Sequence, residues 1–414
     1  MSRLLYKLVL YAMLPVVLLR LVWRARRQRG YLQHVGERFG YFPSRAPDAP
    51  LLWIHAVSVG ETRAAEPLVN ALRARHPQHR ILITHMTPTG RATGELLYAD
   101  RVERCYLPYD YPGAVARFLD HYRPVAGVLM ETEIWPNLIH AAAARGTPLY
   151  LVNARLSEKS YGGYRRYPRL TGEALRGLAG IAAQTDDDAQ RFTALGAERV
   201  TVTGSLKFDV APPADKIALG QRWRTAYGNR PVLLAASTRA GEEEPLLAAL
   251  DAFDIAGMLL VIVPRHPDRF DEVAALLERR GLPYQRRSAN EPVRAATRVL
   301  LGDSLGEMFA YYAACDVAFI GGSLLPYGGQ NLIEACAVGK PVLLGRHTYN
   351  FAEAAELAIA AGAALRVADA EGVMNAAQRL FTDPRSAARM AEAGLAFCRT
   401  HQGATSRALE LIRF

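Results

Sequence analysis

The residues best suited to chemistry in this chain are carboxylates placed just after apolar runs. In "HAVSVGE" (55–61) the run Leu51, Leu52, Trp53 and Ile54 gives way to a turn of small residues and then to Glu61. In "METEIWPN" (130–137) a wholly apolar stretch ends on Glu131 and Glu133. A carboxylate at such a junction serves as a helix cap or as a proton acceptor. Ser58 and Glu61 have capping-box spacing, in which the two residues satisfy each other's backbone donors. Gly60 between them is a poor helix former, but it lets a substrate come close to the backbone. Glu131 and Glu133 follow so apolar a stretch that a buried or cleft setting suits them better than a surface one.

A second set of residues suits an anionic ligand. "ASTRAGEE" (236–243), "PRHPDRF" (264–270) and "GGSLLPYGGQNLIEA" (321–335) combine glycine-rich backbone with Arg265 and His266. The last of these suits approach of backbone N–H groups to a phosphate at a helix N-terminus. It is neither a Walker A loop, lacking G-K-[ST], nor a G-x-G-x-x-G dinucleotide turn. "TDDDA" (185–189) resembles a metal motif, but Thr followed by acids before a helix reads as capping and dipole compensation. No C-x-x-C or H-E-x-x-H occurs, and the four cysteines are far apart, so reduced thiols and no metal site are expected.

Strands and helices must position these groups. Short apolar runs at 51–57, 80–86, 125–130, 148–152, 180–183 and 200–202 alternate with amphipathic stretches such as 64–75 and 114–122. The alternation restarts with 232–236, 258–263, 298–301, 317–320 and 341–344. Strand–helix alternation with apolar strands predicts parallel sheets covered on both faces. The clusters fall at strand ends, where such sheets bind ligands. The expected organisation is a membrane-anchor segment at 1–30 and a Rossmann-like acceptor domain at 31–212. A linker at 213–231, opened by Pro212 and Pro213, and a Rossmann-like donor domain at 232–414 follow, the last helix being free to pack back on the first domain.

The 414 residues are half hydrophobic and carry a formal net charge of +10. That surplus suits an anionic membrane, nucleic acid or a phosphorylated substrate; without a recognisable nucleic-acid module, nucleic acid is not expected. Residues 4–23 are apolar apart from Lys7 and Arg20, and Arg24, Arg26, Arg27 and Arg29 follow. This is close to the length of a membrane span, and the arginines favour a cytoplasmic main body. A single span, an interfacial helix and a hydrophobic hairpin docked on the body all fit.

The ordered set "SVGET", "MTPTG", "LPYD", "METEIWPNL", "NARLS", "TGSLKFD", "PRHPDRF" and "GGS…GGQNLIEA" resembles the 3-deoxy-D-manno-octulosonic acid (Kdo) transferases of lipopolysaccharide synthesis. The resemblance covers nearly the whole chain, including "GERFGYF" (36–42). It implies an α/β GT-B glycosyltransferase with two Rossmann-like domains facing a cleft and an N-terminal membrane-anchor helix. It further implies CMP-Kdo as donor, a lipid A precursor (lipid IVA) as acceptor, inversion without a metal or other cofactor, and a place on the cytoplasmic face of the inner membrane, against its lipids.

By the same resemblance Glu61 falls on the general base and Glu131 on a second acid that positions substrate or base. Arg265, His266, Ser237 and the Gly321-Gly322-Ser323 turn fall on the donor side, with Asn331 and Glu334 holding the nucleotide and Lys207 near the cleft. Ser58, Gly60, Thr87, Arg91 and Glu133 fall on the acceptor side. Gln330 stands where many relatives carry His. Two other readings compete. A GT-B transferase using another nucleotide sugar in envelope lipid or peptidoglycan synthesis shares the fold and is separated by donor choice. A non-enzymatic membrane scaffold predicts scrambled strand-end clusters, and these are intact.

Overall fold

Strand β1, Leu51–His55, is buried along its whole length. Leu51 and Trp53 pack with Phe118 and Leu129, while Leu52 and Ile54 pack with Ile83 and Val128 on the opposite face. A strand covered on both faces reads as an unbroken apolar run, which is why this one is visible in sequence. Gly127 on the adjacent strand makes room for the Trp53 indole: a Cβ there would lie 2.6 Å from the ring.

The computed structural model describes residues 1–43, 49–253 and 255–414. The chain divides into two units, Met1–Asp209 with Gln402–Phe414, and Val210–His401. The first holds β1, β2 (Arg80–His85), β3 (Glu103–Tyr106), β4 (Ala126–Met130), β5 (Leu149–Ala154), β6 (Gly180–Ala183) and β7 (Val200–Val202). They pair in parallel in the order β3-β2-β1-β4-β5-β6-β7. The second holds β8 (Val232–Thr238), β9 (Leu259–Pro264), β10 (Tyr284–Arg286), β11 (Val299–Leu301), β12 (Val317–Ile320), β13 (Val342–Leu344) and β14 (Ala364–Arg366). Its order is β10-β11-β9-β8-β12-β13-β14, again parallel.

Each sheet is doubly wound, and its order reverses at one point, between β1 and β4 in the first unit and between β8 and β12 in the second. Ligands of such sheets bind outside the strand carboxyl ends at this reversal. Glu61 follows β1 and Glu131 follows β4, so both acids belong to the first reversal. Ser237 and the Gly321–Ser323 turn belong in the same way to the second.

Two sequence expectations differ from the structure. Residues 213–231, expected as a linker, contain a helix, Ala214–Tyr227, within the second unit. Its packing face is carried by Gly220, whose Cβ would strike the Ala310 carbonyl at 2.3 Å, and by Trp223, whose ring is tilted 50° to that of Tyr311 with centroids 5.1 Å apart. A face made by a glycine and an aromatic ring has no aliphatic stripe to announce it. The expected anchor helix is broken into α1 (Arg3–Ala12) and α2 (Leu14–Arg27), bent by 51°. Pro15 stands in the first turn of α2, where its missing N–H and its ring interrupt the preceding helix. Among the described residues no single helix is long and apolar enough to cross a membrane, although the bent pair passes that test together.

The last helix, Ala404–Leu411, packs on the first unit. The Asp209 carboxylate accepts the amides of Gly403, at 2.6 Å, and Thr405, both at the helix start, and the Tyr150 hydroxyl donates to the Arg413 carbonyl at 2.8 Å.

Candidate active site

β1 ends at His55, and the helix Val59–Ala64 begins after Ser58. Ser58 Oγ accepts the Glu61 amide at 3.4 Å, as a cap does. The return bonds differ from the expected box. Glu61 Oε2 accepts the amide of Val57, one residue before the cap, at 2.8 Å, and Oε1 accepts the Ser58 hydroxyl, also at 2.8 Å. Glu61 is 8% exposed. Burial pushes its pKa up from the usual 4.5 to about 7, assisted by the charges of Glu131 and Glu133 and opposed by the Val57 and Ser58 donors. Gly60 is exposed, and a Cβ there would meet only Ser58 Oγ at 3.9 Å. Packing therefore does not require glycine beside Glu61.

Glu131 leaves β4 with φ +60°, a left-handed conformation that costs a non-glycine residue about 1–3 kcal/mol and clusters at functional sites. Its Oε1 lies 4.0 Å from Lys207 Nζ. Lys207, expected with the donor group, thus stands in the first unit beside Glu131. Glu133 Oε2 accepts the Trp135 indole N–H at 2.7 Å, and burial raises its pKa.

Thr87 caps the helix Pro88–Tyr98, accepting the Gly90 amide at 3.0 Å, and donates to the Val57 carbonyl at 3.1 Å. It therefore braces the turn that carries Glu61. Arg91 Nη1 is bonded to buried Glu37 at 2.6 Å, and Glu37 also accepts the Tyr106 amide at 2.8 Å. Arg91 is thus committed to a structural pair with the "GERFGYF" segment. "TDDDA" is a cap, since Thr185 Oγ1 accepts the Asp188 amide at 3.1 Å. Among the described residues no group of three or more His, Cys, Asp or Glu is placed to hold a metal ion.

In the second unit Gly321 lies where a Cβ would meet the Ser237 carbonyl oxygen at 2.6 Å, so glycine is obligatory there. Ser237 itself has φ +59°. Glu242, 0% exposed, accepts the amides of Arg239 at 2.9 Å, Gly322 at 2.6 Å and Leu324 at 2.9 Å. Ser323 Oγ accepts the Gly345 amide at 2.8 Å. The expectation that this turn offers N–H groups to a phosphate needs correction: those of Gly322 and Leu324 are taken by Glu242. The turn instead stands among cations. Arg239 Nη1 lies 3.0 Å from His266 Nε2, and Arg265 Nε donates to Gln330 Oε1 at 3.0 Å. Burial and the two arginines lower the His266 pKa. Asn331 Nδ2 donates to Glu334 Oε1 at 3.0 Å, and its Oδ1 accepts the Ile333 amide at 3.1 Å.

Sequence reasoning missed Arg239 and Glu242 as site residues, although "ASTRAGEE" marks their strand end. It also missed Asn153, with φ +56°, whose buried Oδ1 accepts the Leu206 amide at 3.0 Å and so fixes the loop that carries Lys207.

Two doubly wound units, each with polar groups gathered at its strand-order reversal, define a GT-B-like protein. A UDP-GlcNAc 2-epimerase from Neisseria meningitidis has a similar fold, with TM-score 0.58 and 16% identity over 87% of this chain and 99% of that one; the likeness shows the fold alone. The 3-deoxy-D-manno-octulosonic-acid transferase family model matches residues 33–210. A 3-deoxy-D-manno-octulosonic acid transferase of Bordetella pertussis is 48% identical over 428 residues, covering 100% of this chain and 99% of the relative. Another, of Haemophilus influenzae, is 35% identical over 420 residues, covering 100% and 98%. The chain belongs to the Kdo transferase family.

Proposed function

We propose that the protein transfers Kdo from CMP-Kdo to a hydroxyl of a lipid A precursor in lipopolysaccharide core synthesis, inverting the anomeric carbon without a metal, with Glu61 as general base. The observation that carries this reading is the Glu61 carboxylate. It is buried at the first strand-order reversal, fixed by Val57 and Ser58, and has a pKa near 7. A base with that pKa is substantially ionised at neutral pH yet still basic enough to take a proton. As the acceptor oxygen attacks the anomeric carbon, its proton passes to Glu61 and the bond to CMP breaks. The leaving phosphate monoester is already anionic and needs cations rather than an acid; Arg265 and Arg239 supply them, and His266, kept neutral by its lowered pKa, orients Arg239. Lys207 beside Glu131 offers a positive charge to the sugar-acid carboxylate, and Glu334 with Asn331 holds the nucleotide.

The apolar N-terminal helices support a location of this chemistry at the inner membrane, and the arginines that follow them support catalytic units on the cytoplasmic side. One side of the pair is tied to the first unit: Leu21 and Ala25 are buried, and the Tyr6 hydroxyl donates to Asp110 at 3.0 Å. Leu4, Leu8, Leu19 and Trp23 face outward, with Leu19 71% exposed. That pattern favours an interfacial attachment lying in the headgroup region, with the arginines after it adding attraction to anionic lipid.

The test is mass spectrometry of the product formed by the full chain from CMP-Kdo and a tetra-acylated lipid A precursor, with EDTA present and absent. A Kdo-extended lipid at equal rates supports the reading. Transfer only from UDP-linked sugars overturns the donor, and loss of turnover with EDTA overturns metal independence.

A further inference from the structure

A second binding site lies in the first unit, on the segment that follows β5. The helix Glu158–Tyr164 and the residues after it border a surface cavity of about 590 Å³ lined by Glu158, Lys159, Gly162, Gly163, Arg165 and Arg166. Its charge is unbalanced. Glu158 is already paired with Arg191 at 3.1 Å, whereas Lys159 and Arg166 are exposed and, among the described residues, have no carboxylate partner. Arg165 is held over the Tyr161 ring at 5.9 Å.

The glycines are the second observation. Two glycines inside a helix weaken it relative to alanine. Neither has a positive φ, and a Cβ on either would meet nothing within 4 Å. Backbone conformation and packing therefore give no reason for them. They leave bare backbone along a cavity rimmed by cations, which is what close approach of an anionic group needs.

The third observation is the connection to the catalytic loop. Thr132, between Glu131 and Glu133, donates its hydroxyl to the Arg155 carbonyl, and the Tyr164 hydroxyl donates to the Thr132 carbonyl at 3.4 Å. Both ends of the cationic segment are thus fastened to the backbone of the acid loop. Its start is fixed from below by Asp188, which accepts the Leu156 amide at 2.7 Å.

We propose that Lys159, Arg165, Arg166 and the Gly162–Gly163 backbone form a phosphomonoester site that holds a phosphate of the acceptor glycolipid while its hydroxyl is presented to the acids. The proposal rests on the transferase reading above and adds to it the group by which the acceptor is recognised. The same chemistry would suit a phospholipid headgroup, so the experiment separates the two sources.

The Lys159→Ala/Arg166→Ala variant of the full chain is assayed in detergent on the phosphorylated acceptor and on the same acceptor with its phosphates removed. Loss of charge-assisted hydrogen bonds should raise KM for the phosphorylated acceptor about tenfold or more. Maximal turnover and the donor KM should stay within about twofold, and Lys159→Arg/Arg166→Lys should restore the KM. On the dephosphorylated acceptor, variant and wild type should coincide. Gly162→Leu, which fills the cavity without disturbing the core, should raise the same KM with no loss of melting temperature. An unchanged KM, or an equal rise on both acceptors, overturns the proposal. So does a defect seen only in cosedimentation with phosphatidylglycerol vesicles, since that makes the patch a membrane contact. Equilibrium binding of the phosphorylated acceptor in micelles, without donor, keeps the two readings apart. If wild type binds it tighter than the variant but transfers nothing, the site stands and the transferase reading falls.

Discussion

The Ser58 hydroxyl donates to Glu61 Oε1 at 2.8 Å while its oxygen receives the Glu61 amide at 3.4 Å. Cap and acid are therefore one reciprocal unit, and the cap also holds the carboxylate in a fixed orientation. Because Glu61 Oε2 is bonded to the amide of Val57 rather than that of Ser58, the side chain turns back toward the end of β1. Orientation by fixed donors is what a general base needs from its surroundings.

Glu61→Gln separates the two roles. Gln fills the N3 position of a capping box acceptably, so a purely structural residue predicts little change in either stability or turnover. As the base, Glu61 should cost about 10²–10⁴-fold in turnover when replaced, with CMP affinity unchanged. Steady-state kinetics on a variant shown to be folded decides the matter, and near-normal turnover would remove Glu61 from the chemistry.

The pH dependence has a definite sign. With a folded pKa of about 7, the wild-type rate on limiting acceptor should rise about tenfold per pH unit below 7 and level off above it. The stability effect runs the other way. A carboxyl whose folded pKa is raised favours the protonated native state. Its contribution is full below about 4.5 and is lost as pH climbs through about 7, a change on the order of 3 kcal/mol. Gln does not titrate, so the melting temperature of Glu61→Gln relative to wild type should increase from pH 4.5 to pH 8. A difference independent of pH would mean that the acid is not perturbed.

Sequence shows the sheet interiors and one margin, β7 (200–202), but not the other three margins, for a physical reason. β1, β2, β4, β8, β9 and β12 are buried runs, visible as unbroken apolar stretches. β3 ("ERCY"), β10 ("YQR") and β14 ("ALR") carry no apolar run to mark them as strands. All three are edge strands, where charged residues and short length are normal. The site divides similarly. Glu61 and Glu131 are legible because an acid directly after a buried strand is locally anomalous. Glu242 and Asn153 act on backbone 80 and 53 residues away, and no local pattern announces such a bond.

Glu242 gives the prediction for the donor unit. Its carboxylate satisfies three backbone donors. Glu242→Gln offers only one oxygen and points an NH₂ at the rest, so buried donors are stranded at about 1–3 kcal/mol each. Calorimetry should show a lower melting temperature, and titration should show CMP affinity falling with it. Arg265→Ala and Glu334→Ala should weaken CMP binding as well. Wild-type CMP affinity in a folded Glu242→Gln protein would mean that this turn does not shape the nucleotide site.

The N-terminal helices call for point substitution rather than deletion. Removing them would strip Tyr6 from Asp110 and the Leu10 carbonyl from the Tyr111 hydroxyl. Asp110 accepts the amides of Asn137 and Leu138, at the start of the helix that follows the acid loop. A truncated protein could thus lose activity through the loop rather than the membrane. Leu4 and Leu19 are 69% and 71% exposed, and substitution at such positions usually changes stability by less than about 0.5 kcal/mol. Leu4→Glu/Leu19→Glu removes apolar contact worth about 0.8 kcal/mol per buried CH₂ and adds two charges that an anionic surface repels. Cosedimentation with phosphatidylglycerol vesicles should fall by about tenfold or more, while the melting temperature and turnover on detergent-dispersed acceptor stay near wild type. Tyr6→Phe should do the reverse, leaving vesicle binding intact and lowering turnover through the loosened Asp110 cap. If the double glutamate variant sediments with vesicles as wild type does, this face does not meet lipid.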